Sequence, residues 1–392
     1  MWELFKTFFV LGCISFGGPA AHIGYFRATF VDKLAWLNDK EYANFVALSQ
    51  FLPGPGSSQV GFAIGYHRSG LLGAFLAFLG FTLPSVILMI LLVASAGYLT
   101  ENSVFQSIVH GLKLLAVVVV FDAILVMYKN FCTDKIRIFL CLFTACVLLI
   151  WPSLSLQVSV IIFAAVVGFF LLKSDPSEVD EVTSEQIVNP LNLINYTPLV
   201  FFFLLLLWIP FLSAEFVVVQ LFSDFFQAGS LVFGGGHVVL PLLQNIVGSQ
   251  VGAEQFLSGY AIAQVVPGPM FTFATYIGYL LLPTQPIVGA LVATFAVFLP
   301  GFLLLLSCLK HWNSLSKIAG LSASISAVNA AVVGLLISAF YMPVFTESVF
   351  NGLDMAMVFI GIYLLKCFKL PIMLLITLFT VAGALLGFAN IY

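Results

Sequence analysis

Long apolar runs separated by short polar turns occupy almost the whole of this 392-residue chain. Most runs hold about 18 to 25 residues, the length that a helix needs to cross the hydrocarbon core of a bilayer. The pattern predicts thirteen helical segments: six in a first group, one connector and six in a second group. The first group comprises 4–26, 42–66, 70–98, 104–128, 136–151 and 156–172; the connector is 196–212; the second group begins near Val217, includes 256–282 and ends with 351–366 and 370–390.

The same short motif interrupts one run in each group. Gln50-x-x-Pro53-Gly54-Pro55 lies at the centre of the second run, and Gln264-x-x-Pro267-Gly268-Pro269 lies in the run 256–282. A helix interior does not accept two such prolines, because each lacks an N–H group and clashes with the preceding turn. We therefore expect both runs to be broken at their centres.

The two groups of segments are copies of one another. Phe16-Gly17-Gly18-Pro19 is matched by Phe233-Gly234-Gly235-Gly236, Leu83-Pro84 by Leu299-Pro300, and Ile64-Gly65-Tyr66 by Ile277-Gly278-Tyr279, all in the same order. Such a duplication indicates two structural repeats. We place the first repeat at 1–172, an acidic linker at 173–195, a connector transmembrane helix at 196–216 and the second repeat at 217–392.

The number of membrane crossings sets the orientation of the second repeat. If all thirteen segments span the bilayer, equivalent segments are seven crossings apart, and an odd number inverts the second repeat. The result is unchanged if both broken segments of each repeat are re-entrant hairpins, because the number of crossings stays odd. The predicted fold class is therefore an all-α polytopic membrane protein with two inverted-topology repeats, each containing broken or re-entrant helices.

Lysine and arginine positions favour the re-entrant alternative. If every segment spans, ten of these residues fall on one side of the membrane and three, Arg27, Lys33 and Lys40, fall on the other. Because positive residues concentrate in cytoplasmic loops, we expect a cytoplasmic N-terminus, a cytoplasmic linker and an external C-terminus. Hairpins would move the three exceptions to the cytoplasmic side as well.

Composition excludes several classes of function. Hydrophobic residues make up 61% of the chain and charged residues only 8%, against roughly a quarter charged in a soluble domain. The net charge of −3 leaves no basic face for nucleic acid. The six cysteines contain no CxxC pair, so we expect neither disulfides nor a metal site. The sequence has no HExxH metal-binding motif and no acid and base placed to face each other within the membrane. We therefore expect that the protein is not an enzyme and has no catalytic residues and no cofactor.

The helix that follows each break suggests an anion site. Pro55 and Pro269 suit the first position of a new helix, whose free N–H groups attract anions. These groups would belong to Gly56, Ser57 and Ser58 in the first repeat and to Met270, Phe271 and Thr272 in the second. A kink needed only for packing is the alternative. The candidate binding residues at the breaks are Gln50, Pro53, Gly54, Pro55, Gly56, Ser57, Ser58, Gln264, Pro267, Gly268, Pro269, Met270, Phe271 and Thr272.

The glycine-rich motifs are candidate hinges, with close helix packing through small residues as the competing interpretation. They comprise Phe16, Gly17, Gly18 and Pro19 in the first repeat and Phe233, Gly234, Gly235 and Gly236 in the second.

Lys113 is the one lysine or arginine in the interior of an apolar run, away from its ends, where an unpaired ammonium is costly and usually functional. It is a candidate anion ligand or pathway residue; an ion pair with another helix and a snorkelling end residue are the alternatives. A pair with Asp122 is disfavoured, because the two lie on opposite faces of a helix. The equivalent residue of the second repeat is Asn329.

The membrane histidines, His22, His110 and His237, are either hydrogen-bonded residues or proton carriers. The first interpretation is favoured for each of them.

These motifs resemble the signature of the chromate ion transporter family in its long, two-domain form. The resemblance rests on Phe16–Pro19, Gln50–Pro55, Ile64–Tyr66, Leu83-Pro84-Ser85, Phe233–Gly236 and Pro267–Pro269, and it covers both repeats. It implies a prokaryotic cytoplasmic-membrane protein that expels chromate, with sulfate moved by some members. The second repeat departs from the first, with Gly236-His237 in place of Pro19-Ala20 and Met270-Phe271 in place of Gly56-Ser57, so the two half-sites need not contribute equally.

The hypothesis from the sequence is a secondary transporter of a small inorganic oxyanion, with chromate favoured, that works by alternating access in the lipid bilayer. No ATP-binding motif is present in the sequence, so an ion gradient or the membrane potential would supply the energy. A sulfate or other inorganic-anion carrier or channel is the nearest alternative, and a receptor or structural membrane protein is the alternative from another class. The coupling ion, the direction of transport and the oligomeric state, a homodimer included, stay open.

Overall fold

The computed structural model describes residues 1–99, 103–172, 194–212, 216–233, 236–248, 250–312 and 319–388. Within these ranges the chain is built of helices joined by short turns, which confirms the predicted fold class. The helices of the first repeat are α1 (Trp2–Ile14), α2 (Gly18–Phe26), α3 (Asp39–Phe51), α4 (Gly56–Leu99), α5 (Ser103–Phe131), α6 (Lys135–Ile150) and α7 (Leu154–Leu171).

The connector predicted between the repeats is α8 (Tyr196–Leu212). Of the predicted linker, 173–195, residues 173–193 lie outside the described residues. The helices of the second repeat are α9 (Val217–Ser230), α10 (Val239–Val247), α11 (Ala253–Val265), α12 (Phe273–Leu281), α13 (Pro286–Cys308), α14 (Ala319–Ala339), α15 (Gly352–Lys366) and α16 (Ile372–Phe388). Short π-helical segments follow α2 at Arg27–Lys33 and α14 at Phe340–Phe345.

Among the residues that the structure describes, four helical stretches are long and apolar enough to cross a membrane: Gly56–Ser95, Val104–Phe131, Pro286–Cys308 and Ser322–Phe345. Most of the remaining helices are shorter, because the chain is broken or turns back at the motifs described above.

The first of these stretches is two helices. Ser69 and Gly70 leave the helical conformation, with φ of −153° and 62°. The chain folds back there, since a Cβ atom on Gly65 would lie 2.5 Å from the carbonyl oxygen of Gly73 and 2.7 Å from the Cβ of Ala77. We call the two parts α4a (56–68) and α4b (71–99).

The segment that contains the first glycine motif is a re-entrant hairpin. The ring of Phe8 on α1 lies 5.7 Å from the ring of Phe26 and 4.8 Å from that of Phe30. Because Phe8 precedes the turn at Ser15 and the other two residues follow it, α2 and its π-helical extension run back along α1.

The segment that contains the first Pro-Gly-Pro motif, α3 and α4a, is a second hairpin. Glu41 at the start of α3 lies 3.8 Å from His67 at the end of α4a. The guanidinium of Arg68 lies 5.0 Å from the ring centre of Trp36, which precedes α3. The loop between Lys33 and Lys40 therefore lies at the same end of the molecule as Arg68, as the re-entrant alternative predicts.

The second repeat is built in the same way. Gly259 on α11 packs against the ring of Tyr276 on α12, so these helices also form a hairpin about their break. Gly278 on α12 packs against Gly289 on α13, as Gly65 packs against Gly73 in the first repeat.

The repeats interlock through their later helices. In the first repeat α5 packs against α16, and in the second repeat α14 packs against α6 and α7. Gly111 on α5 faces the backbone carbonyl of Phe379, and Gly168 on α7 faces Ala327 on α14. One apolar core accordingly runs through both repeats, from Leu48 to Phe379.

Candidate functional site

Each Pro-Gly-Pro break is hydrogen-bonded to the glycine-rich turn of the opposite repeat. The N–H of Gly54 donates to the carbonyl oxygen of Val232 at 2.7 Å, and the N–H of Gly268 donates to that of Ser15 at 2.8 Å. Ser15 and Val232 are the equivalent residues that precede the two glycine motifs. The four breaks therefore meet between the repeats in a reciprocal arrangement, which is the location of binding sites in inverted-repeat membrane proteins.

Only glycine fits at the centre of each Pro-Gly-Pro motif. Gly54 and Gly268 have φ of 126° and 99°, a region that residues with a Cβ atom rarely adopt. A Cβ on Gly54 would lie 2.8 Å from the Cα of Gly301, and one on Gly268 would collide with the hydroxyl of Ser85. Backbone of one repeat thus packs directly on the proline-containing helix of the other.

Two side chains of the first repeat hold these contacts in place. The Ser85 hydroxyl donates to the carbonyl oxygen of Pro267 at 2.6 Å. The Gln59 amide donates to the carbonyl oxygens of Pro53 and Gly301, both at 3.0 Å. The bonds to Pro267 and Pro53 satisfy carbonyl groups that the breaks release from helical pairing, and the bond to Gly301 ties the first break to α13 of the second repeat.

The helix start predicted in the first repeat is present. Helix α4 begins at Gly56, and the N–H of Gln59 donates to Pro55 at 2.9 Å. The N–H groups of Gly56, Ser57 and Ser58 precede this bond, as in the first turn of any helix. The side chains of Ser57 and Ser58 are buried.

The second repeat differs from the prediction at the equivalent residues. Met270–Thr272 form a 3-10 turn, and α12 begins only at Phe273. The N–H of Thr272 donates to Pro269 at 3.0 Å, and its hydroxyl donates to the same carbonyl at 2.8 Å. Neither donor of Thr272 is free, because the 3-10 turn closes one residue earlier than an α-helical turn would.

Several buried polar atoms around the breaks have no hydrogen-bond partner within the described residues. They are Ser15 Oγ, Ser58 Oγ, Gln59 Oε1, Thr82 Oγ1 and Gln264 Nε2. Buried polar groups are nearly always paired, so this cluster indicates a place that accepts a polar ligand or water.

His22 lies beside this cluster. Its ring nitrogens lie 3.2 Å from Ser57 Oγ and 3.2 Å from the carbonyl oxygen of Ser15. His237 lies 2.9 Å from the hydroxyl of Tyr260. The expectation that these two histidines are hydrogen-bonded is confirmed.

The two predicted glutamines are not equivalent. Gln50 is exposed, whereas Gln264 is partly buried. The glutamine that reaches across the repeat interface is Gln59, which the sequence analysis did not select. The comparison of repeats hides Gln59, because the matching residue of the second repeat is Phe273.

The glycine-rich motifs meet at the side chain of Met270. A Cβ on Gly18 would lie 3.6 Å from the Met270 sulfur, and one on Gly236 would lie 3.5 Å from it. Gly17 and Gly18 have positive φ, which permits the turn after α1. The predicted hinge residues Gly234 and Gly235 lie outside the described residues.

Lys113 is not brought to the breaks. Its side chain is 6% exposed, and its Nζ lies 3.6 Å from Glu254 Oε1 at the start of α11. About 16 Å of helix separates Glu254 from the break after Val265 at 1.5 Å per residue. Of the alternatives weighed for Lys113, the ion pair with another helix is the one that the structure shows, and Asp122 pairs instead with Lys366.

Comparison with known proteins gives matches along almost the whole chain. A family model described as Chromate transporter matches residues 2–169 and again residues 219–388. A protein of Methanocaldococcus jannaschii described as an uncharacterized transporter is 28% identical over 98% of this chain and 94% of its own length. No solved structure is significantly similar.

Two further relatives carry a more specific description. A chromate transport protein of Cupriavidus metallidurans is 28% identical over 86% of this chain and 81% of its own length. A chromate transport protein of Pseudomonas aeruginosa is 28% identical over 85% of this chain and 79% of its own length.

Proposed function

This chain belongs to the chromate transporter family, and we propose that it carries chromate out of the cell by alternating access between its inverted repeats. Chromate is a tetrahedral dianion, so its binding requires hydrogen-bond donors that converge from several directions and carry positive electrostatic potential. The start of α4 supplies both, because its first N–H groups point along the positive end of the helix dipole.

The observation that supports this proposal most strongly is the pair of reciprocal hydrogen bonds, Gly54 to Val232 and Gly268 to Ser15. They hold the first turn of α4 at the repeat interface, where the hydroxyls of Ser15 and Ser58 have no hydrogen-bond partner in the described part of the chain. In our proposal, the N–H groups of Gly56–Ser58 and these hydroxyls bind the anion. The second break supports the site through backbone contacts, since both donors of Thr272 are already used.

Alternating access requires that the contacts between the repeats exist in two related arrangements. A cavity of 390 Å³ lies between the repeats where α6 ends and α7 begins, and its polar lining includes Gln157, Gln244, Asn245 and Ser338. We assign this cavity to the access route on the side opposite the linker. A change from one arrangement of the contacts between the repeats to the other would close this cavity and open an access route on the linker side.

Outward movement of a dianion agrees with the proposed orientation. With re-entrant hairpins, Arg27, Lys33 and Lys40 join the other loop cations at the end that we assign to the cytoplasm. An inside-negative potential then drives an anion outward with about 2.3 kcal/mol per unit charge for each 100 mV. Lys113 is retained here as a pathway residue and not as a ligand of the central site.

Reconstituted protein tests the proposal directly. Liposomes that contain the purified protein should take up labelled chromate at a rate above that of empty liposomes, and chromate should raise the thermal unfolding temperature where equal chloride does not. The proposal would be refuted if no protein-dependent chromate flux were found with protein whose cooperative thermal unfolding shows that it is folded.

Sulfate is the second candidate, because it is also a tetrahedral dianion and the proposed ligands are N–H and hydroxyl donors without a metal. Competition between unlabelled sulfate and labelled chromate separates the two. Half-inhibition by sulfate at a lower concentration than by unlabelled chromate would make sulfate the preferred substrate.

A further inference from the structure

The charged and histidine side chains in the interior of α5 all pair with the second repeat. His110 Nε2 lies 3.0 Å from Asp354 Oδ1 on α15, Lys113 pairs with Glu254 on α11, and Asp122 pairs with Lys366 at the far end of α15. The equivalent residues of α14 are Ser326, Asn329 and Ser338, which carry no charge. The ionic contacts are therefore made by only one of the two equivalent helices.

The His110–Asp354 pair is the most deeply buried of the three. Asp354 is 0% exposed and His110 is 13% exposed. The second carboxylate oxygen of Asp354 accepts from the N–H of Phe350 at 2.9 Å, and the ring of Phe350 stacks on that of His110 at 5.6 Å. A carboxylate in such surroundings is stable only with a positive partner or a proton, so the contact depends on the protonation of the pair.

Other titratable groups lie near this pair on the described elements that pack against α5. Lys113 lies one turn beyond His110 on the same face of α5, with Glu254 from α11 beside it and Glu347 from the segment before α15 nearby. Helices α14 and α16, which also pack against α5, contain no titratable residue, whereas the π-helical segment Phe340–Phe345, which packs against α5 too, contains Tyr341. Asp122 and Lys366 lie further along α5 and α15, and Glu101 lies outside the described residues.

The ionic contacts of α5 connect the first repeat to α11 and α15, the helices that would move relative to it during transport. Helix α11 carries Glu254, the partner of Lys113, in its first turn and ends at the second Pro-Gly-Pro break. Because the first repeat holds that break through Ser15 and Ser85, a change in how α5 meets α11 and α15 alters the geometry of the central site. Histidine is a common proton carrier in proteins, so a His–Asp contact between these helices is suited to control such a change.

We propose that the His110–Asp354 pair binds the proton that is exchanged in each transport cycle, and that this proton couples anion movement to the pH gradient. In the arrangement described here, protonated His110 pairs with the Asp354 carboxylate. When α5 separates from α15 in the opposite arrangement, the imidazole is exposed and releases its proton to water. One proton is bound and one is released per cycle. The inference rests on the proposed transport function.

The test uses the full-length protein in liposomes whose membrane potential is held at zero with potassium and valinomycin. If one proton is exchanged per anion, a pH difference of one unit should change the steady-state ratio of chromate inside to outside about tenfold. A pH-sensitive dye inside the vesicles should report a proton flux that accompanies chromate. The sign of the effect shows whether the proton moves with the anion or against it.

The variants Asp354→Asn and His110→Gln should abolish the response to the pH gradient while chromate-for-chromate exchange continues. Lys366→Gln is the matched control, because it removes the other contact between α5 and α15, and it should keep the tenfold response. A wild-type protein that moves chromate without any proton flux would overturn the inference and leave the transport function intact. The inference is also overturned if both variants keep the response, or if both lose exchange together with it, since the pair is then structural. Absence of chromate flux in the wild type would instead refute the proposed function.

Discussion

The hydroxyl of Ser85 donates to the carbonyl oxygen of Pro267, at 2.6 Å, and at the same point fills the space that a side chain on Gly268 would need. One residue of the first repeat thus both anchors and shapes the break of the second. The equivalent contact in the other direction is purely backbone, because Gly301 replaces the serine and lies against Gly54.

Gly268→Ala should therefore destabilise the protein by roughly 1 to 3 kcal/mol through backbone strain, with a further loss from the collision with Ser85. Thermal unfolding in detergent measures the change. Adding Ser85→Ala to Gly268→Ala should remove the collision and restore that part of the stability. The loss due to backbone strain should remain. Gly24→Ala is the control, because a Cβ there meets nothing within 4 Å. If Gly268→Ala unfolds at the wild-type temperature, the close contact between the repeats is incorrect.

Ser58→Ala should weaken chromate binding without weakening the fold. The Ser58 hydroxyl is buried with no hydrogen-bond partner among the described residues, so its loss costs the empty protein nothing. A hydrogen bond to a charged ligand contributes about 1.5 to 3 kcal/mol, which is about a tenfold or larger loss of affinity. Titration of chromate-dependent thermal stabilisation gives the affinity. Ser258→Ala, whose hydroxyl bonds to Glu254 on the exposed surface, should leave affinity unchanged; equal affinities for the two variants would remove Ser58 from the site.

The Lys113–Glu254 pair should show only weak coupling. Its atoms are 3.6 Å apart and the Glu254 side chain is 85% exposed, so solvent screens the attraction. A double-mutant cycle of Lys113→Gln and Glu254→Gln, measured by thermal unfolding, should give a coupling energy of about 1 kcal/mol or less. A coupling energy above about 2 kcal/mol would contradict this expectation and show that the pair contributes strongly to the contact between α5 and α11.

Labelling of introduced cysteines should show on which side of the membrane the loops lie, and so whether the broken segments are re-entrant hairpins. In a protein without its native cysteines, Ala35→Cys should react with an impermeant maleimide in inverted vesicles, because the contact of Arg68 with Trp36 places this loop at the cytoplasmic end. Gln285→Cys, in the turn between α12 and α13, should react in intact cells. Reaction of Ala35→Cys only in intact cells would exclude the re-entrant arrangement.

The breaks and the inverted repeats could be predicted from the sequence, because both follow from local chemistry. Proline cannot continue a helix at Pro53 or Pro267, and the repeated motifs preserve their order. The start of α4 at Gly56 follows for the same reason.

The partners of individual side chains could not be predicted. Gln59 bonds to Gly301, which is 242 residues away, and Lys113 finds Glu254 on a helix of the other repeat. Such contacts depend on how two repeats pack, and no local pattern encodes them. The equivalence of Gln50 and Gln264 was a poor guide for a related reason: the Gln50 side chain is exposed in the first repeat, whereas Gln264 is partly buried in the second.

The interlocked packing of α5 with α16 sets an order for biosynthesis. Helix α5 enters the membrane early, but the helix that covers its Gly111 face, α16, belongs to the second repeat. Until α16 is inserted, that face of α5 must be covered by lipid or by another membrane protein. The packing of the first repeat is therefore completed only after residues 372–388 of the second repeat have been synthesised and inserted.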